Sequence, residues 1–407
     1  MAQVKPEVEA FARIKVLGVG GSGKHAVDHM IESKVNGVEY VAINTDSQDL
    51  HHSKAKKKIH IGKNITRGLG AGMNPELGRK AAEETSEEIQ ESIKGADMAF
   101  ITCGLGGGTG SGASSIIARA AKEQGALTVG VVTKPFFFEG QQRRQIAERA
   151  LEELKKNVDA IIIIPNDQLI SSIDKETRAK DAFGMCDEVL RQAVEGISDL
   201  ITTPGEVANI DFADIRSVME NAGHALMGVG TASGENRAIE AAKAAVNSPL
   251  LELSIDGAQG VLFSIAGAED ITMHEIQEAA KTITESVDDN AKIIFGTVAN
   301  DKLRKGEIKV TVIASGFSGA YGNQDQHISQ SDTSSQSAET GTESKESVNS
   351  YGTIHNSMPQ DGETSTNTKR VDVNTAKQQN TADKTNEDDD DDEWGAVPAF
   401  LRRSKLK

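Results

Sequence analysis

Two glycine-rich stretches hold the residues best suited to chemistry. The first, GVGGSGKH at 18–25, lies between a short apolar run and a helix-like stretch. Gly18, Gly20 and Gly23 fit the dinucleotide pattern G-x-G-x-x-G, and Asp46 stands about where a ribose-binding acid would follow. Gly18, Gly23 and Lys24 also fit most of the phosphate-loop pattern G-x-x-x-x-G-K-[ST], but His25 replaces the magnesium-binding hydroxyl. That pattern also lacks an aspartate ending the neighbouring run Met98 to Cys103. The second stretch, GLGGGTGSG at 104–112, again separates a strand-like run from a helix. Backbone N–H groups without side chains around them can approach an anion, and a helix N-terminus favours negative charge. Gly106, Gly107, Gly108 and Gly110 would supply such amides, and Thr109 a hydroxyl. Two such loops in one chain suggest one nucleotide gripped on several sides.

Asn209, Asp211 and Asp214 form a further cluster, with two carboxylates three apart at a helix start. Spacing alone allows two uses: capping of a helix over 212–220 by Asn209 or Asp211, or acid chemistry. The stretch HHSKAKKKIH at 51–60 has no metal-ligand spacing and reads as a solvated loop. Cys103 and Cys186 are the only cysteines, too few for a disulfide framework or a C-x-x-C metal site, which fits a reducing cytosol.

These loops need a frame. Strand-like runs at Arg13 to Val19, Glu39 to Asn44, Met98 to Cys103, Leu127 to Thr133 and Ala160 to Pro165 alternate with amphipathic stretches such as Pro75 to Ile93 and Ser111 to Glu123. This rhythm predicts βαβ units and a mostly parallel sheet covered on both faces. In Lys180 to Thr203, residues Phe183, Cys186, Leu190, Ala193, Ile197 and Leu200 recur at helical spacing, and Pro204-Gly205 ends the run. Further strands at His224 to Val229, Gly260 to Ala266, Ile293 to Val298 and Glu307 to Ala314 surround helical patterns at Glu235 to Val246 and Met273 to Val287. The expected fold is α/β: a parallel-sheet nucleotide-binding domain, a long central helix, a smaller α/β domain and a disordered tail.

Composition sets the outer limits. Aromatics make up 4% and hydrophobics 37% of the 407 residues, low enough to require a disordered part. A net charge of -17 argues against general nucleic-acid binding. No apolar stretch is long enough to span a membrane, and the N-terminus lacks an apolar signal core. Residues 318–392 are almost free of aliphatics and end in an acidic run, as expected of a linker with a span of about 45 Å. The end, WGAVPAFLRRSKLK, is instead aromatic, apolar and basic.

The stretch GGGTGSG at 106–112 resembles the signature of the tubulin and FtsZ superfamily. GVGGSGKHAVDHM, VAINTD, KPFFFEG, IPND, DAFGMCDEVLRQAVEGISDLI and NIDFADIRSVM are similar to bacterial FtsZ in order and spacing, over about 12–317 and again at the extreme C-terminus. The resemblance implies a GTPase of cell division with an N-terminal extension (1–11), a GTP-binding domain (12–179), a central helix (180–204), a GTPase-activating domain (205–317), the linker (318–392) and a partner-binding peptide (393–407). Gly21, Ser22, Gly23, Lys24 and His25 match the family's first nucleotide loop, and Gly108, Thr109 and Gly110 the centre of its phosphate loop. Glu139 and Arg143 match its ribose edge, and Asn166, Phe183 and Asp187 its base pocket. A carboxylate at 187 can accept from both the ring N–H and the exocyclic amine of guanine, whereas adenine leaves it underpaired.

The resemblance further implies that Asn209, Asp211 and Asp214 enter the nucleotide pocket of the next subunit in a head-to-tail homopolymer. Mg²⁺ would be held mainly by phosphates and water, with no dedicated protein metal site. Trp394, Val397, Pro398, Phe400, Leu401 and Arg402 would dock membrane-tethering division proteins, placing the chain in the cytoplasm at the mid-cell ring. Two positions depart from the pattern: Lys24 stands where Gly is usual and His25 where Asn is usual. Lys24 is expected either to contact phosphate or to point into solvent.

Overall fold

Short β-branched runs form the frame because each can bury both of its faces. The computed structural model describes residues 12–171, 176–203, 210–248, 255, 257–268, 270–288, 290–299 and 303–317. Strands β1 (Ile14–Val19), β2 (Val38–Asn44), β3 (Lys57–His60), β4 (Met98–Gly104), β5 (Leu127–Lys134) and β6 (Ala160–Pro165) pair in parallel in the order β3-β2-β1-β4-β5-β6. The connecting helices are α1 (Gly20–Glu32), α2 (Ser47–His51), α3 (Lys63–Thr66), α4 (Pro75–Glu84), α5 (Ser86–Ile93), α6 (Thr109–Glu123), α7 (Gln141–Lys155) and α8 (Asn166–Ser171). Alternate residues feed two cores. Ile162 and Ile164 of β6 join α1 and the long helix α9 (Ala179–Thr202) on one side, while Ile161 and Ile163 join α4, α6 and α7 on the other.

Beyond α9 lie α10 (Phe212–Met219), β7 (Gly223–Ser233), α11 (Arg237–Val246), β8 (Gly260–Gly267), α12 (Met273–Thr284), β9 (Lys292–Ala299) and β10 (Glu307–Ser315). Their strand order β7-β10-β8-β9 continues the first sheet, because β6 pairs with β7 over Ala160–Ile162 and Gly223–Ala225. The α9 stripe is buried as predicted at Cys186, Leu190, Ala193, Ile197 and Leu200. Phe183, at its N-terminal end, is instead 50% exposed.

Two local readings are corrected. Residues 51–60 are not simply a solvated loop: Lys57–His60 forms the edge strand β3 on β2, anchored by fully buried Ile59. Its exposed lysines suit an edge that must not pair further. The Pro75 to Ile93 run is two helices, not one. Thr85 breaks it with φ −110° and ψ 25°, and its hydroxyl accepts the Gly62 N–H at 3.1 Å.

Glycines decide how closely α1 lies on the sheet. A Cβ on Gly23 would stand 2.4 Å from the Thr102 carbonyl oxygen, and one on Gly18 would stand 2.4 Å from that of Gly23. Neither backbone oxygen can move away without breaking a ladder or a helix. Gly23→Ala should therefore cost about 1–3 kcal/mol by overpacking, read as a lower thermal midpoint against the wild-type chain.

Candidate functional site

The site begins with two helix N-termini that no side chain caps. Helix α1 follows β1 directly, with Val19 at its N-cap, and α6 follows β4 with Gly108 at its N-cap. Neither has a side-chain cap hydrogen bond or an acid in its first turn. Helices α2, α4, α10 and α12 are capped by Asp46, Asn74, Asp211 and Thr272, whereas α3, α5, α7, α9 and α11 also lack a side-chain cap, so it is their shared cavity that singles out α1 and α6. The free N–H groups of α1 and α6 border one cavity of about 1030 Å³ at the C-terminal ends of the parallel strands.

Most of the predicted residues meet there. Gly21, Ser22, Lys24 and His25 line the cavity from the first loop, and Gly107, Gly108, Thr109 and Gly110 from the second. Glu139, Arg143, Asn166, Phe183 and Asp187 line the rest. Gly23 and Gly106 do not. Gly23 is packed against Thr102, and Gly106 shapes its loop with φ 101° while its N–H donates to the Ser111 hydroxyl at 2.9 Å. Gly107 is the open member of its loop, with nothing within 4 Å of where a Cβ would stand.

Several groups have capacity for a ligand. Asn166 is buried, and its Oδ1 has no partner among the described residues. Phe183 meets Phe136 edge-to-face at 5.1 Å, and its exposure leaves ring surface toward the cavity. Glu139 pairs with Arg143 one helical turn on and accepts the Phe136 N–H at 3.0 Å. Asp187 and Glu188 are adjacent but electrostatically opposite. Burial pushes the Asp187 carboxyl up to about 6, against a downward pull from His25 and His29. Glu188 is only half-buried; the burial it has pushes its carboxyl up, yet hydrogen bonds from Arg191, His29 and Gln192 hold it down to about 2.

Lys24 behaves as neither alternative predicted. It is 4% exposed, its Nζ donates to Asp49 Oδ1 at 2.8 Å, and Asp28 Oδ2 lies 3.6 Å away. Asp46, the candidate ribose acid, caps α2 by accepting from the N–H groups of Gln48 and Asp49. The motif VAINTD hides further site residues. Asn44 Nδ2 donates to Asp49 Oδ2 at 2.8 Å, the Thr45 N–H donates to Asn44 Oδ1 at 2.8 Å, and the Thr45 and Thr109 hydroxyls are 2.6 Å apart. Periodicity could not reveal these contacts, because two are side-chain bonds at the β2–α2 turn and the third joins it to the second glycine-rich loop.

Asp211 and Asp214 are not on this cavity. Asp211 caps α10, its Oδ1 accepting the Asp214 N–H at 2.8 Å, which is the first of the two uses its spacing allowed. Helix α10 belongs to the other end of the sheet: Arg216 donates to the Gly125 carbonyl ahead of β5, and Lys292, the first residue of β9, donates to Ser217. The intervening strands are about 20 Å long. Asn209, the linker and the tail positions Trp394, Val397, Pro398, Phe400, Leu401 and Arg402 lie outside the described residues. Among those described, no helix is long and apolar enough to cross a membrane, and no group of three or more His, Cys, Asp or Glu is placed to hold a metal.

Comparison with known proteins bears on this arrangement. A model of the Tubulin/FtsZ family GTPase domain matches residues 13–174, and a model of the FtsZ family C-terminal domain matches 223–318. The structure is similar to the FtsZ dimer of M. jannaschii at 45% identity, with a TM-score of 0.72 over 76% of this chain and 89% of that one. The chain belongs to the FtsZ family. CetZ2 from Haloferax volcanii, a GTPγS-bound protofilament, shares the fold at 22% identity, with a TM-score of 0.64 over 74% of this chain and 92% of its own. Both glycine-rich loops thus fall within the FtsZ-family GTPase domain, and the expected parallel sheet, central helix and second α/β region are those of the family.

The contrast within the pair at 187 and 188 is directly measurable. Titration followed by carboxyl NMR should place Asp187 near pH 6, about two units above an exposed aspartate, with Glu188 already ionised throughout. An Asp187 midpoint near 4 would contradict the burial described.

Proposed function

We propose that this chain binds and hydrolyses GTP and polymerises head to tail into filaments of the cytokinetic ring in bacterial cell division. The observation that carries the reading is the separation of the cavity from Asp211 and Asp214 by the length of the sheet. One subunit holds the phosphate-binding loops at one end and the acids at the other. In a head-to-tail contact the two meet, and the acids polarise the water that attacks the γ-phosphate. Such a contact joins unlike surfaces and, unless it closes, builds a filament. Asp211 can serve both as cap and as activating group, since capping engages only its Oδ1.

Within the cavity, the amides of Gly21, Ser22 and Gly107 to Gly110 and the Thr109 hydroxyl take the phosphates. Glu139 and Arg143 face the ribose, Phe183 stacks on the base, and Asn166 offers its open oxygen. Ionised Asp187 accepts two guanine N–H groups. Magnesium would enter with the triphosphate and be held mainly by phosphate oxygens and water, because Asp46 and Asp49 are already engaged by α2 and Lys24. Leu69, Phe137 and Phe138 are 85%, 75% and 65% exposed on loops that also contribute to the cavity wall, which supports a protein contact over its mouth. The M. jannaschii relative being a dimer supports self-association. Trp394, Phe400 and Leu401 are assigned to partners that tether filaments to the membrane, with the chain itself cytoplasmic and at mid-cell.

Two experiments test this function. Asp211→Ala and Thr109→Ala should each lose GTP turnover, while a one-to-one mixture recovers about a quarter of the wild-type rate through hybrid junctions. Co-assembly of the folded variants without recovered turnover would rule out a shared site. GTP affinity should hold above pH 6 and fall by up to about tenfold per unit below it, as the raised Asp187 carboxyl takes up a proton. Asp187→Asn should bind weakly and flatten that part of the profile. An unchanged slope in the variant would remove Asp187 from guanine recognition.

A further inference from the structure

Asp49 puts a carboxylate beside a wall built to attract anions. Its Oδ2 lies 3.6 Å from where a Cβ would stand on Gly21, an exposed glycine of the first loop. Unpaired, that charge would oppose the attraction of the α1 and α6 N-termini for phosphate. Lys24 removes the conflict. Its ammonium is buried, 2.8 Å from Asp49 and 3.6 Å from Asp28. Asp28 is otherwise satisfied, because its Oδ1 accepts from the Ser53 hydroxyl at 2.8 Å and the Lys54 N–H at 2.6 Å.

Asp49 also passes order onward. Its second oxygen holds the Asn44 amide, Asn44 holds the Thr45 N–H, and the Thr45 hydroxyl meets that of Thr109. An unbroken hydrogen-bonded chain therefore runs from the Lys24 ammonium to the first residue of α6.

We propose that Lys24 is a positioning residue for the nucleotide's phosphates, neutralising Asp49 beside the Gly21 wall and fixing the Thr109 hydroxyl through Asn44 and Thr45. Its ammonium stays engaged with carboxylates and does not itself grip phosphate. The proposal rests on reading the cavity as a guanine-nucleotide site. Repulsion from an unpaired Asp49 scales with ligand charge. Losing Lys24 should therefore hurt GTP most, GDP less and guanosine hardly at all.

The test uses the full chain as wild type, Lys24→Met, Asp49→Asn and the double variant. Calorimetry, or competition for the weakest ligand, compares GTP, GDP and guanosine, with thermal midpoints as a check on folding. Lys24→Met should weaken GTP about tenfold and leave guanosine near wild type. The double variant should regain most of the GTP affinity, because no unpaired carboxylate remains. Asp49→Asn alone should bind GTP at least as well as wild type. Should Lys24→Met fail to fold, Asp49→Asn and the double variant still decide the matter. Equal losses for all three ligands, or no recovery in a folded double variant, would overturn the proposal. A wild-type chain that binds none of the three would overturn the reading of the cavity itself.

Discussion

Two uncapped helix N-termini directed at one cavity create a positive field that the fold leaves unsatisfied. Each carries roughly half an elementary charge, concentrated on the N–H groups of its first turn. Four other helices, α2, α4, α10 and α12, receive a capping aspartate, asparagine or threonine at that position. At α1 and α6 the position goes to Val19 and Gly108, which cannot cap. What sets these two apart is that both open on the same cavity, so their N–H groups converge where an anion would be favoured.

The glycines deserve a different account from the one their spacing first invites. In the second loop only Gly107 stands free. Added Cβ atoms at Gly108 and Gly112 would stand 2.4 Å from the Gly72 carbonyl and 2.0 Å from that of Pro75. A Cβ on Gly78 of α4 would come 2.3 Å from the carbonyl of Gly108. The glycine-rich signature is therefore largely a packing signature. It lets α4 press against α6 and hold the loop backbone still, so that the few exposed amides are already aimed before a ligand arrives.

Much of the frame was legible in the residue pattern because double burial imposes it. The isoleucines of β6 and the stripe of α9 have no other stable placement in an α/β layer. Elements that depend on one anchor were not legible. Strand β3 is held by Ile59 among lysines, and the break at Thr85 depends on a hydroxyl reaching Gly62 across the chain. At the site, residue types and position marked the two glycine-rich loops, while the family resemblance supplied Glu139, Arg143, Asn166, Phe183 and Asp187. The partners of Lys24, the link from Thr45 to Thr109 and the raised Asp187 carboxyl were not visible, since each is set by burial or by contacts between distant loops. Nor does spacing say which end of a sheet a residue occupies, so Asp211 and Asp214 needed the strand directions to be placed.

The Lys24–Asp49 pair also constrains the order in which such a site can change. A lysine at 24 without an acid at 49 leaves a cation near a place that favours anions, which costs the site little. An acid at 49 without the lysine leaves a buried-side carboxylate facing the phosphate wall. The two positions form one electrostatic unit, although they sit on separate helices and only one of them falls within a recognisable motif.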